Sequence, residues 1–128
     1  MEHKQDAPWE IIANNHIDIF ATVEQNGKIR NYYSNSKALP KHLSIIFRAK
    51  TAINEPFDIK WQIVNTGEEA KAAGFEQLRG GFYNSTDPVK KTRKENTAYK
   101  GSHSVKAFAI DSNNCCIGQS EEFIVNIK

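Results

Sequence analysis

Phe57-Asp58-Ile59-Lys60-Trp61-Gln62-Ile63-Val64 alternates apolar and polar side chains. On an extended backbone this period of two puts Phe57, Ile59, Trp61 and Ile63 on one face and Asp58, Lys60 and Gln62 on the other. The stretch predicts a half-buried strand with Trp61 as a central core aromatic. Asn54-Glu55-Pro56 precedes it and ends the element before, because proline has no N–H to give to a ladder.

The same period recurs on both sides. Ile17, Ile19, Ala21 and Val23 alternate with Asp18, Phe20, Thr22 and Glu24. Asn26-Gly27 follows, and both residues tolerate the positive φ of a two-residue hairpin, so residues 28–33 are expected to return as the partner strand. Leu43, Ile45, Phe47 and Ala49 share a face in the next strand. Downstream, Thr66-Gly67-Glu68-Glu69 reads as a capping box, with Thr66 capping the Glu69 amide, in front of a short helix stopped by Gly74. Residues 79–83 make a short strand led by glycines, and residues 87–94 a charged loop. The segment from Glu95 to Ile110 exceeds the usual strand of roughly 5–6 residues, which marks Gly101 as a bend or bulge. Phe123, Val125 and Ile127 face inward on a terminal strand. About seven short strands separated by turns argue for an all-β, immunoglobulin-like β-sandwich with a short helical insertion near residues 66–74.

The chain has 128 residues, enough for one domain with a sizeable core. Residues 1–10 are expected to be loose apart from Pro8-Trp9, and 11–128 to form a single domain. With 17 basic and 15 acidic residues the formal net charge is +2, too weak a field for general DNA binding. No apolar run approaches the length of a membrane span and the first residues lack a signal-peptide core, so a soluble, cytoplasmic protein is expected. Cys115 and Cys116 are adjacent; a bridge between neighbours is strained, so free thiols are expected. Phe20, Tyr32 and Ile46 are candidates to break outward, hinting at a covered face or a dimer.

Much chemistry is excluded. The five aspartates stand apart, and Glu68-Glu69 and Glu121-Glu122 are neighbours whose side chains diverge on a strand. No pair of carboxylates is placed to hold two metal ions as a nucleotidyl cyclase requires. There is no G-x-S-x-G elbow and no Walker loop. His3, His16, His42 and His103 lack ligand spacing, so no zinc or other cofactor is expected. What remains is a polar set the core does not require: Asn65, Arg79, Lys100 and His103. Arg79 beside Gly80-Gly81 suits a phosphate, since its planar fork clasps oxygens while glycine admits a ligand to the backbone; equally, it suits an ion pair with Glu68, Glu69 or Glu76. His103 is either a ligand contact or a hydrogen-bonded core histidine. In a regular strand Lys100 and His103 face opposite ways, whereas a bulge at Gly101 would bring them to one rim. Residues 90–94 read as a solvated loop.

Three motifs in series carry a family resemblance: Trp61-Gln62-Ile63-Val64-Asn65-Thr66-Gly67-Glu68-Glu69-Ala70, then Leu78-Arg79-Gly80-Gly81-Phe82, then Glu95-x-Thr97-x-Tyr99-Lys100-Gly101-x-His103-x-Val105-x-Ala107-Phe108. With Pro8-Trp9 at the entry and Ser120-x-x-Phe123-x-Val125-Asn126-Ile127 at the close, the chain resembles the adenylyl/guanylyl and SMODS C-terminal sensor domain over nearly its whole length. That family usually follows a cGAS/DncV-like nucleotidyltransferase in bacterial antiphage (CBASS-type) signalling operons. The resemblance implies a non-catalytic sensor of a nucleotide second messenger, such as a cyclic oligonucleotide, with a nucleotidyltransferase as partner in cis or in trans. The transferase itself is not in this chain, which is then an excised C-terminal domain or a stand-alone sensor.

On that reading Arg79, Lys100 and His103 hold phosphate, Asn65 and Thr97 add polar contacts, Tyr99 offers a stacking face and Gly80 lets the ligand approach. Glu68 and Glu69 already occupy the positive end of the short helix, so an anion should lie nearer Arg79. The alternative is an adaptor that docks a protein through sheet edges or the helical insertion. Catalysis by His103 as general base is a third option, for which the sequence places no carboxylate partner.

Overall fold

Asn26 and Gly27 both take positive φ, 54° and 75°, and join β1 (Ile11–Gln25) to β2 (Lys28–Tyr32) as the hairpin expected from their chemistry. The computed structural model describes residues 3–128, the side chains of Phe75 and Glu76 excepted. After β3 (Ser44–Thr51) and β4 (Asp58–Val64) come two short helices, α1 (Glu68–Ala72) and α2 (Phe75–Leu78). The chain continues through β5 (Arg79–Asn84), β6 (Thr92–Asn96), β7 (Gly101–Ile110), β8 (Cys116–Ser120) and β9 (Phe123–Ile127).

The all-β expectation holds, but the immunoglobulin-like sandwich does not. The strands form one continuous hydrogen-bonded path, β5-β4-β7-β8-β1-β3-β6, with β2 on β1 and β9 on β7, and the sheet curls into a nearly closed barrel. The curl follows from two long strands that change partners midway. β1 pairs with β8 over its first half and with β2 over its last residues. β7 pairs with β9 through Val105 and with β8 from Phe108. Where β7 passes between these partners, the Ala107 amide donates instead to Ser120 Oγ, 2.8 Å away, so the ladder is continued by a side chain.

The inward faces supply the core. Trp61 is fully buried and lies beside Phe47, which packs edge-on against Phe123. Trp61 Nε1 donates to Ser85 Oγ at 2.9 Å, which satisfies the indole N–H inside the core. A second, smaller cluster lies on the outer side of β7. Phe108, Ile110 and Cys116 are covered there by Ala7, Trp9 and Phe82, and Trp9 sits edge-on against Phe82 with ring centroids 4.9 Å apart. Covered on both sides, β7 reads Val105-Lys106-Ala107-Phe108-Ala109-Ile110 without the clean alternation of a half-buried strand.

Three local expectations are corrected. The capping box does not form: Gly67 caps α1 with no side-chain bond, Thr66 Oγ1 donates to the Ser102 carbonyl, and Glu69 Oε1 accepts from the Lys100 amide at 3.1 Å and pairs with Lys41. The segment from Glu95 to Ile110 is not one bent strand but two, β6 and β7, parted by a four-residue turn, and the supposed loop residues Thr92 to Lys94 belong to β6. Tyr32 points inward, 3% exposed, and Tyr33 is the outward aromatic. Cys115 and Cys116 are both free thiols. Among the described residues no helix is long and apolar enough to cross a membrane.

β8 sits in a crowded place. A Cβ on Gly118 would lie 2.7 Å from Ile53 Cδ1 and 2.8 Å from the Asn15 carbonyl oxygen. Part of that obstacle is backbone of the paired β1, which cannot move without parting the strands. Gly118→Ala is therefore expected to destabilise the domain by about 1–3 kcal/mol, the usual cost of overpacking, read from the urea unfolding midpoint.

Candidate functional site

The two ends of the strand path, β5 and β6, are not zipped together by a full ladder. Side chains bridge them. Arg79, first residue of β5, gives both terminal nitrogens to Glu95 of β6: Nη1 to Oε1 at 2.6 Å and Nη2 to Oε2 at 3.2 Å. Arg93 adds Nε to Glu95 Oε2 at 2.7 Å and Nη1 to the Asn84 carbonyl at 3.0 Å. Both guanidinium groups stack on Tyr83, at 4.3 and 5.0 Å from its centroid, and Arg79 Nε donates to its hydroxyl. The closure is thus one carboxylate held between two arginines over an aromatic ring. Of the carboxylates offered by the sequence, Arg79 pairs with neither Glu68 nor Glu69, and the side chain of Glu76 lies outside the described residues.

Burial alone would push the Glu95 carboxyl up, but the two arginines outweigh it and hold its pKa below the usual range. Burial likewise works against the Arg79 charge, and Glu95 and Tyr83 more than restore it. The cluster carries two positive charges and one negative.

Behind this seam lies a cavity of about 200 Å³. Its floor is apolar, from Ile45, Phe47, Ile63, Val105, Val125 and Ile127, and its mouth is polar. Five of the seven candidate residues meet at that mouth: Asn65, Arg79, Thr97, Tyr99 and His103. Asn65 Nδ2 donates to the Gln77 carbonyl at 2.8 Å, and the Tyr99 hydroxyl to Gln77 Oε1 at 3.0 Å. Thr97 is buried, its Oγ1 accepting from the Leu43 amide and donating to the Pro40 carbonyl, so its hydroxyl ties the segment leading into β3 to the turn after β6.

His103 is 5% exposed. Its Nδ1 accepts from the Thr66 amide at 2.9 Å, and its Nε2 lies 2.6 Å from the Tyr99 carbonyl, which can only accept. That pairing fixes the Nε2–H neutral tautomer. Burial lowers its pKa, and the bond to Tyr99 only partly opposes this. A neutral imidazole with both nitrogens engaged brings no positive charge to a phosphate.

The remaining two candidates lie elsewhere. Lys100 is exposed on the turn before β7, and Gly101, at φ 139°, opens the strand without turning Lys100 to the cavity. Gly80 faces the opposite side of the sheet. Its carbonyl accepts from the Gln5 amide at 3.1 Å and from Gln62 Nε2 at 3.0 Å, and a Cβ there would collide with the His3 carbonyl oxygen. The approach that requires glycine is made by residues 3–5 of the chain itself. Gln77 and Glu95 also line the mouth and were not among the candidates. Glu95 stands in the third motif, whereas nothing in the sequence singles out Gln77.

Arg79 holds a backbone conformation (φ 60°, ψ −136°) that is costly for any residue but glycine. The ion pair and the cavity geometry therefore depend on each other.

Two outcomes follow from these contacts. Glu95→Ala leaves Arg79 and Arg93 facing one another half-buried, and a loss of about 2 kcal/mol in unfolding free energy is expected. For His103 the folded pKa is depressed, so its contribution to stability is complete above the unfolded value near 6.5 and is lost as pH falls from there toward the lower folded value. Nitrogen chemical shifts should show His103 as the neutral Nε2–H tautomer at neutral pH and its protonation setting in at lower pH than that of an ordinary histidine; the Nδ1–H tautomer, or protonation at higher pH than an ordinary histidine, would contradict the assignment.

No curated protein matches the chain in a sequence comparison. The sequence model of one family does match, and it spans residues 1–128, the full length. The resemblance carried by the strand of Trp61, the Arg79-Gly80-Gly81 corner and the stretch from Glu95 to Phe108 is thereby established, and the chain belongs to the Adenylyl/Guanylyl and SMODS C-terminal sensor domain family.

Proposed function

We propose that this sensor domain binds a nucleotide at the open seam of its barrel, the base entering the cavity and the phosphate remaining outside. The observation that carries the reading is the shape of the cavity: an apolar floor under a polar mouth, at the point where the sheet fails to close. Asn65, Gln77 and Tyr99 present amide and hydroxyl groups suited to the edge of a base. The phosphate lies toward Arg79 and Arg93, whose two charges exceed the single charge of Glu95. His103 and Thr97 hold the mouth in shape rather than touch phosphate, and Lys100 and Gly80 have no part in the contact.

Size narrows the ligand. A cavity of about 200 Å³ is smaller than the roughly 300–1,000 Å³ of sites that enclose a drug-sized molecule. It takes one base, not a ring of two or three nucleotides. A cyclic oligonucleotide would insert a single base and leave the rest of its ring on the rim. The role we infer is that of a non-catalytic receiver for the product of a nucleotidyltransferase, in cis or in trans, in CBASS-type antiphage signalling. It turns occupancy into a change at β5 and β6.

Calorimetry with mononucleotides and with cyclic di- and trinucleotides tests this. At least one is expected to bind, with Asn65→Ala and Tyr99→Ala each weakening it about tenfold or more, the loss of one or two good hydrogen bonds or a stacking face. Lys100→Ala is expected to bind as the wild type does. Absence of heat with every compound, in protein whose melting is normal, would leave the adaptor reading in its place.

A further inference from the structure

Residues 3–9 lie along the outer side of β4 and β5, and most of their surface faces water. Trp9 anchors them, packed against Phe82 and Phe108. Ahead of it the segment is held as a strap. His3 Nε2 donates to the Asn65 carbonyl at 2.8 Å, the Gln5 amide to the Gly80 carbonyl at 3.1 Å, and Gln62 Nε2 to the Gln5 carbonyl at 2.8 Å. The exposed Lys4–Glu122 pair adds little. Each hydrogen bond is worth little once exchange with water is counted. Such an element docks and undocks without unfolding the barrel.

Asn65 is where the strap meets the cavity. Its amide donates to the Leu78 carbonyl and its Nδ2 to the Gln77 carbonyl, both at 2.8 Å, which fastens it to the end of α2. The peptide group that joins it to Thr66 has both polar atoms engaged. The carbonyl accepts from His3, and the N–H donates to His103 Nδ1 at 2.9 Å. A trans peptide is flat, and its C=O and N–H point opposite ways. One rigid plate therefore stands between a histidine of the strap and a histidine of the cavity wall. His103 Nε2–H goes on to the Tyr99 carbonyl, so a continuous run of hydrogen bonds, each polarising the next, joins the outer surface to the mouth.

The two ends of that run are unequal. His103 is buried and fastened at both nitrogens, whereas His3 is half-buried at the head of a mostly exposed strap. When the plate turns, the His3 bond is the one that breaks. A base that takes the polar groups of Asn65 and Tyr99 turns it, since both side chains are bonded to Gln77 and must let go of it. We propose that the Asn65–Thr66 peptide is a relay between mouth and strap: opening the mouth releases residues 3–5 from the outer face, with Trp9 as the pivot. The relay belongs to the empty domain; its use as a ligand signal rests on the nucleotide reading above.

NMR of the whole domain tests this, with thermal melting to confirm that each variant is folded. Without ligand, His3→Ala is expected to speed exchange of the Gln5 amide about fivefold, the loss of one ordinary hydrogen bond. Across the plate it should also move the Thr66 amide proton upfield and shift the His103 Nδ1 resonance toward that of an unbonded ring nitrogen. His3→Gln, which keeps a donor, should restore both. Unchanged Thr66 and His103 signals in His3→Ala would overturn the relay, as would a Gln5 amide that exchanges as in the wild type. The second arm uses whichever mononucleotide or cyclic di- or trinucleotide gives heat in calorimetry. That compound should speed Gln5 exchange in the wild type and, because linkage is reciprocal, bind His3→Ala about threefold or more tightly than the wild type. A compound that binds yet leaves Gln5 exchange unchanged would overturn the proposal and leave the nucleotide site standing. If no compound binds, the nucleotide reading falls, and the unliganded variants decide the relay by themselves.

Discussion

A single carboxylate between two guanidinium groups closes this barrel. Backbone ladders run without a break from β5 around to β6, but between those two ends the Arg79–Glu95–Arg93 cluster and the Arg93 bond to the Asn84 carbonyl do the bridging. Long side chains hold the strands further apart than a ladder would. The gap they span is the mouth of the cavity, so closure and opening are set by one group of residues. Fully zipped, the hairpin would leave no entrance. Without Glu95, two half-buried cations would repel each other across the mouth of a cavity floored by Ile63, Val105 and Val125.

The site is also tied to the start of the chain. On the inner side of the β4–β5 pair, Asn65 and Arg79 look into the cavity; on the outer side, residues 3–9 lie against the same pair. His3 Nε2 is 2.8 Å from the Asn65 carbonyl, and Gln62 Nε2 donates to both the Gln5 and the Gly80 carbonyls. Trp9 anchors this segment on Phe82 and Phe108. Any movement of the Arg79–Gly80 corner therefore bears on both. For a sensor domain, which has to report occupancy to something outside itself, this is a short mechanical path.

Local chemistry was legible in the sequence and long-range pairing was not. The alternation around Trp61 and the positive-φ pair Asn26-Gly27 each specified their element, because strand parity and turn geometry are decided within a few residues. The strand Cys116-Ile117-Gly118-Gln119-Ser120 escaped notice for a physical reason. Its buried positions are Cys116, Gly118 and Ser120, small residues demanded by close backbone approach, so it shows no hydrophobic alternation. Sandwich and barrel then differ only in which strands pair, and that depends on β1 and β7 exchanging partners midway, which no local pattern records. The candidate site fared similarly. Asn65, Arg79, Thr97, Tyr99 and His103 do converge, but the register of a splayed hairpin, and hence the Arg79–Glu95 pair, could not be read from spacing. Nor could the use of Gly80 by residues 3–5.

The central claim is that the seam cavity is where a nucleotide enters. Amide chemical-shift mapping tests it most directly: uniformly labelled protein titrated with mononucleotides and cyclic oligonucleotides, with shifts followed residue by residue. The account predicts that the perturbed amides cluster around Asn65, Gln77 to Arg79 and Asn96 to Tyr99, with little change near Lys50 or Val89. Shifts confined to the outer faces of the sheet, or none at any ligand concentration, would contradict it.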